Sequence, residues 1–253
     1  MFENMNYIKD MYLNLASNKF STSSIKALST QINNLKSLTQ LSLDLSDCEI
    51  QQAESEALSE GLQKITNLQK LSLNLNNCQL GPKGMSNIGH ALQMLTKIQH
   101  LQLELKKCNI GSKGGKSIGN GLAKLPFLKH LFLEISQNDI GVDGAKGVCF
   151  GLVAVPKLIY LELNLSLNYL SSKGLGYFGE VISKLKNLKV LKIDSDRNML
   201  GPDGTKQFSK QLEKSRNLNK LQLSFRSNGI SNATQKLLTD VTEFIQNKTI
   251  FFE

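Results

Sequence analysis

One pattern of alternating apolar and polar positions returns along this chain every thirty residues. It reads Met11-x-Leu13-x-Leu15, Leu41-x-Leu43-x-Leu45, Leu71-x-Leu73-x-Leu75 and Leu101-x-Leu103-x-Leu105. It continues as Leu131-x-Leu133-x-Ile135, Leu161-x-Leu163-x-Leu165, Leu191-x-Ile193 and Leu221-x-Leu223-x-Phe225. Period-2 alternation predicts a strand with one apolar face. After each strand the period changes. Behind Leu71–Leu75 come Cys78, Leu80 and a predicted turn at Gly81-Pro82-Lys83-Gly84, then Met85, Ile88, Leu92 and Leu95 at helical spacing. The same helical set recurs as Ile25, Leu28, Ile32 and as Leu175, Phe178, Ile182. Each unit is therefore strand, turn, helix and return. A strand, a helix and a parallel strand repeated in one sense bend into an arc with the wider helices outside.

One helical position stays small throughout: Ser29, Ser59, Gly89, Gly119, Cys149, Gly179, Ser209 and Thr239. Glycine inside a helix costs up to about 1 kcal/mol against alanine, so its recurrence predicts a close approach between neighbouring helices.

The frame L-x-x-L-x-L-x-L-x-x-(C/N)-x-(I/L)-G-x-x-G resembles a leucine-rich repeat, and its helical outer segment resembles the ribonuclease-inhibitor-like subclass. The strand is two residues longer than is usual there. That length, with the abundant Asn, Gln and Lys, is similar to repeats of ciliate proteins. The resemblance implies an α/β solenoid, a horseshoe with a parallel β-sheet on its concave face and α-helices on its convex face. It also implies a binding role without naming a ligand; no cofactor is expected. The expected organisation is one domain over 1–253 with about eight repeats, a partial first unit over 1–20, and a capping helix and tail over 231–253. Phe2, Met5 and Ile8 keep the phase of the return segments, so the first unit begins almost bare.

Several motifs suggest chemistry and have plainer readings. Cys48, Cys78 and Cys108 share one repeat position with Asn18, Asn138, Asn168, Asn198 and Asn228. A straight row of sulfurs about 5 Å apart offers no tetrahedral convergence, so they read as structural thiols rather than as a metal site. Family members use Asn or Cys there to bond a neighbouring turn. Gly111-Ser112-Lys113-Gly114-Gly115-Lys116-Ser117 lacks the first glycine of a phosphate loop and reads as a repeat turn. His90, His100 and His130 have no nucleophile placed beside them, so no enzyme is expected.

If the strand leucines enter the core, their alternates face the hollow in three columns. The first runs from Asp10 to Lys220, the second from Tyr12 to Gln222 and the third from Asn14 to Ser224. The third column contains no base. Together they hold six acids and three bases, a net of −3, while the chain carries +9. The remainder then carries +12, which predicts a mildly acidic hollow and basic outer helices and edges. His130, Phe132, Tyr160 and Val190 cluster on neighbouring rungs, with His100, Glu104, Glu134, Glu162 and Asp194 around them. Aromatics ringed by charge are the composition of interaction hot spots, so these nine are the candidate protein-binding residues.

The expected function is a non-catalytic scaffold binding a protein or peptide in the hollow, as a subunit of a larger cytoskeletal or ciliary assembly. An acidic partner on the convex helices is the second contact this charge suggests. The alternative is a small-GTPase regulator, for which Arg197 and Arg226 on the rim are the available arginines. Nucleic acid is disfavoured because the helix faces lack aromatics for base stacking. No apolar run reaches the ~18 residues of a membrane span, and the start shows no signal core. Unpaired cysteines fit a reducing compartment. The expectation is a cytoplasmic protein with no membrane partner.

Overall fold

The computed structural model describes residues 7–252. Phe2 and Met5 of the expected first unit lie outside the described residues; Ile8 is partly buried against the core. Strands and helices alternate as β1 (Asp10–Asn14), α1 (Thr22–Asn33), β2 (Gln40–Asp44), α2 (Gln52–Leu62), β3 (Lys70–Asn74) and α3 (Gly81–Met94). They continue with β4 (His100–Glu104), α4 (Gly111–Leu122), β5 (His130–Glu134), α5 (Gly141–Val153), β6 (Tyr160–Asn164) and α6 (Ser171–Ile182). The series closes with β7 (Val190–Asp194), α7 (Gly201–Leu212), β8 (Lys220–Ser224), α8 (Asn232–Val241) and β9 (Asn247–Phe251).

All nine strands form one open parallel sheet in chain order. Register follows the repeat: Leu41 lies opposite Leu71, Leu71 opposite Leu101 and Leu101 opposite Leu131. The helices form a second layer, and the core is a continuous seam between the two. Leu43, Leu73, Leu103, Leu133 and Leu163 stack through it fully buried, with Ile88, Ile118, Val148 and Phe178 from the helices. Phe208 and Phe225 close it near the C-terminus edge to face, with ring centroids 5.6 Å apart.

The expected Gly-x-x-Gly turns prove to be the first turns of α3, α4, α5 and α7. Gly81, Gly111, Gly141 and Gly201 each open their helix at φ near +60°, a conformation glycine adopts without penalty. Each donates its N–H to a carbonyl one repeat on, as Gly141 does to Asn168 at 2.9 Å.

The small helical position is where neighbouring backbones meet. A Cβ on Gly119 would fall 1.8 Å from Gly147 O, and one on Gly89 would fall 2.7 Å from Ser117 O. Thr239 departs from this rule and is exposed, because α8 is the last helix among the described residues and none of their helices packs on its outer side.

The tail also differs from a simple cap. β9 joins the sheet beside β8, with Lys220 opposite Asn247, a step of 27 residues instead of thirty. α8 ends one residue early and the return segment after it, 242–246, is two residues shorter than 213–219, which together make the change in phase. Arg226 rests 4.5 Å over the Phe251 ring and pins the added strand.

One expectation needs correcting. Helices α1–α8 hold nine bases and seven acids, so the helix layer is close to neutral rather than basic. The excess positive charge sits elsewhere, on the segments that lead from each helix to the next strand.

Candidate functional site

The third column of the sheet face, expected to be a feature of the hollow, has a job inside each rung. Asn14, Asp44, Asn74, Asn164 and Asp194 each accept a hydrogen bond from the backbone N–H two residues on, at 2.9–3.2 Å. Glu134 does the same for Ser136 at 2.7 Å. An acceptor is needed to satisfy that N–H where the strand ends, and lysine or arginine cannot supply one. The missing base is thereby explained. Glu104 differs: its two carboxylate oxygens take Gln102 Nε2 at 2.7 Å and Asn76 Nδ2 at 3.0 Å. Burial pushes the Glu134 carboxyl above its ordinary value, opposed by its bonds from Ser136 and Asn164.

The first two columns carry the distinctive surface. His100 and His130 face each other across β4 and β5 as stacked rings, 4.3 Å apart and 4° from parallel. Tyr160 follows, its centroid 6.1 Å from that of His130. Burial holds both imidazoles below their ordinary value. The charges of His130, Lys70 and Lys129 add to this at His100, and that of Lys129 at His130. His130 Nδ1 is buried and has no hydrogen-bond partner among the described residues. Tyr160 donates its hydroxyl to Glu162 Oε2, which also takes Lys192 Nζ at 2.9 Å. Burial and that bond raise the Tyr160 pKa; bonds to Tyr160 and Glu162 raise that of Lys192.

Two grooves share Phe132 as their dividing wall. The first, about 430 Å³, runs over β1–β6 from Tyr12 past Ser42, Ser72, His100 and His130 to Tyr160. Most of its lining is apolar, from rings, lysine stems and the edges of the strand leucines. The second, about 350 Å³, lies over β5–β9 and is charged, with Glu134, Glu162 and Asp194 facing Lys192 and Arg226.

The nine candidate residues therefore divide. His100, His130, Phe132 and Tyr160 line the first groove; Phe132, Glu134, Glu162 and Asp194 line the second. Val190 sits between Tyr160 and Lys220 in register and lines neither. Glu104 also lines neither and is held by its two amide partners. Sequence reasoning missed Tyr12, which is 73% exposed and forms the far end of the first groove. The signal was present: Ser42 and Ser72 leave low ground between two aromatic residues of one column, Tyr12 and Phe132.

The Cys and Asn row is internal bracing. Cys48, Cys78 and Cys108 are buried, and their thiols donate to Leu15, Leu45 and Leu75 carbonyls at 3.3, 3.3 and 2.9 Å. Burial pushes the Cys78 thiol up to about 11 and that of Cys108 up to about 12, so both stay protonated and unreactive. Asn138 and Asn168 make the same donation, to Leu105 and Ile135, and add an acceptor. Asn168 Oδ1 takes the N–H of Asn138 at 3.1 Å and that of Ile140 at 3.3 Å. Among the described residues no three His, Cys, Asp or Glu side chains converge as a metal site would require. The glycines of the phosphate-loop-like stretch serve packing, since a Cβ on Gly115 would meet Gly144 Cα at 2.7 Å.

Three stretches, residues 66–89, 97–119 and 126–149, match the family model described as leucine-rich repeat. These are the rungs that carry α3, α4 and α5 and the His100–His130 stack. That repeat is in general a non-catalytic interaction fold, and stacked repeats commonly present an extended binding surface. No curated protein matches the chain.

Proposed function

We propose that the protein is a non-catalytic interaction scaffold that takes an extended segment of a protein partner across its sheet face. The observation that carries this reading is the first groove: an open, mostly apolar trough bounded by Tyr12 and Phe132, with a stacked histidine pair on one wall. Six strands at about 4.8 Å spacing span roughly 24 Å, the length of about seven extended residues. An apolar side chain of the partner would seat over Ser42 and Ser72, where the column is low. Tyr160 and the His pair offer polar edges beside it, the mixed chemistry of a hot spot. The charged second groove continues the same face and would read a neighbouring charged residue of the partner.

Nothing in this surface, among the described residues, resembles a reacting constellation: burial keeps the Cys78 and Cys108 thiols protonated, and the third-column carboxylates are taken up by backbone N–H groups or, at Glu104, by two side-chain amides. The helical outer segment of each rung supports the ribonuclease-inhibitor-like reading of the repeat. A structural subunit of a large assembly, cytoskeletal or ciliary, is the setting we favour for a scaffold of this kind.

Selection of displayed random peptides on the immobilised protein tests the reading. Peptides with a shared apolar anchor should be enriched and should lose affinity at least ten-fold for Tyr12→Ala and Phe132→Ala, with unchanged melting. If the same peptides bind both variants equally, the partner does not use this trough.

A further inference from the structure

The edge of the solenoid where each helix ends and the next strand begins is strongly basic. The eight return segments 34–39, 63–69, 95–99, 123–129, 154–159, 183–189, 213–219 and 242–246 hold eleven Lys or Arg and two acids, Glu213 and Glu243. The whole chain has 30 bases and 21 acids, so the rest is left with 19 against 19 (30 − 11 = 19, 21 − 2 = 19). All of the protein's net positive charge thus resides on this one edge. Ten of the eleven are lysines, and among the described residues only Arg216 has an acid within ion-pair distance, Glu213 at 3.8 Å.

The fold holds these segments side by side in register, as a comb. Ile159 N–H bonds Lys129 O at 2.8 Å, and Lys189 N–H bonds Ile159 O at 2.8 Å. Side chains tie the same rungs: Asn187 Nδ2 donates to Pro156 O at 2.8 Å, and Lys157 Nζ lies 4.6 Å over the Phe127 ring. The seven teeth that carry bases, at about 4.8 Å spacing, make a line of roughly 30 Å.

Apolar side chains stand among the lysines on the middle rungs. Met94, Phe127, Val153 and Ile159 are 51%, 47%, 49% and 38% exposed, and Phe150 lies one turn back from Val153 at 64%, so the expected lack of aromatics on the helix faces does not hold on α5. Their neighbours in the comb are Lys97, Lys124, Lys129, Lys157 and Lys189. Neither groove of the sheet face reaches this edge.

We propose that this edge is a peripheral docking surface for an anionic lipid bilayer. A polyanion of any kind would answer the lysines. An acidic protein tail answers the charge alone, and a nucleic acid would stack on Phe127 but leave the aliphatic Val153 and Ile159 in water, whereas the headgroup and upper acyl region takes both chemistries at once. No helix among the described residues is long and apolar enough to cross a membrane, and a peripheral contact needs none. Docked on this edge, the sheet stands upright from the bilayer and both grooves remain open to a partner.

The test is sedimentation of the full chain with vesicles of phosphatidylcholine alone or with about 30% phosphatidylserine, at low and near-physiological salt. The variants are Lys124→Glu/Lys157→Glu/Lys189→Glu and Phe127→Ser/Ile159→Ser. All five positions are exposed, and each variant's melting curve serves as the folding control. Wild type is expected to bind the anionic vesicles at both salts and to leave the neutral ones unbound. At roughly five-fold per lysine near the surface, the triple variant should weaken binding about 100-fold or more. The apolar pair should abolish the binding that survives at the higher salt. Absent binding to anionic vesicles at low salt overturns the proposal, as does equal binding by the triple variant. Vesicle binding indifferent to Phe127 and Ile159, matched by equal affinity for poly-glutamate, would assign the edge to an acidic protein instead.

Discussion

Asn168 is the position at which the bracing row can be tested most sharply. It is fully buried, donates from Nδ2 to Ile135 O at 2.8 Å and Leu165 O at 3.0 Å, and accepts two backbone N–H groups at Oδ1. In Asn168→Ala the N–H groups of Asn138 and Ile140 lose that acceptor. Ile135 O keeps a donor, because Asn138 Nδ2 also reaches it at 3.0 Å. Two buried orphan N–H groups at about 1–3 kcal/mol each give a loss of roughly 2–6 kcal/mol. Asn168→Cys should cost less, roughly half. The sulfur would still take those two N–H groups, though more weakly than an amide oxygen, as the Cys78 sulfur takes the N–H groups of Cys48 and Ile50. Asn168→Asp keeps the acceptor and turns a second oxygen toward the carbonyls of Ile135 and Leu165, so it should be the worst of the three. The chain has no Trp, so far-UV circular dichroism in urea is the assay. A loss of about 4 kcal/mol should lower Tm by roughly 8–16 °C. Each repeat contacts only its neighbours, so the transition should also broaden as the array parts at this rung. A wild-type transition in Asn168→Ala, or a Cys variant no better than Ala, would refute the account.

Gly119→Ala places a methyl group 1.8 Å from Gly147 O, backbone against backbone, and should cost about 3 kcal/mol or more in urea unfolding. Gly176→Ala meets only the movable tip of Gln207 at 3.0 Å, so it should be neutral or gain up to about 1 kcal/mol from helix propensity; equal effects at both sites would contradict the packing argument. His100 and His130 should titrate by NMR below the ordinary 6.5. Because their folded pKa values are depressed, the unfolded chain takes up protons first on acidification. The stability this pair contributes is therefore complete above about pH 6.5 and is lost as pH falls toward the folded values. A His100→Gln/His130→Gln variant should flatten that stretch of the stability profile, and an unchanged slope would show that the stack is not its source.

Much of this protein was written in its pattern. A thirty-residue return of Leu-x-Leu-x-Leu dictates parallel strands in register, since only that stacking lets identical apolar faces share one seam. The recurrent small residue foretold the helix contact, because a Cβ there has no room. The candidate aromatics His130, Phe132 and Tyr160 could be placed on adjacent rungs by counting. The limits arose where a property belongs to neighbours in space rather than to a repeat position. Glu134 and Asp194 looked like ligands of a hollow and prove to satisfy an N–H two residues on. That became visible once the chain was seen to turn, three residues past the strand, through a left-handed residue such as Gln137 or Arg197, at φ +57° and +55°. β9 lost the thirty-residue phase because the return segment after α8 is short, so no periodicity could announce it. Tyr12 became a groove wall only when the sheet set it four strands from Phe132 with serines between. The charge balance gave a number but no place. Only the stacking of return segments, with helices and strands near neutrality on either side, gathers eleven bases onto a single edge.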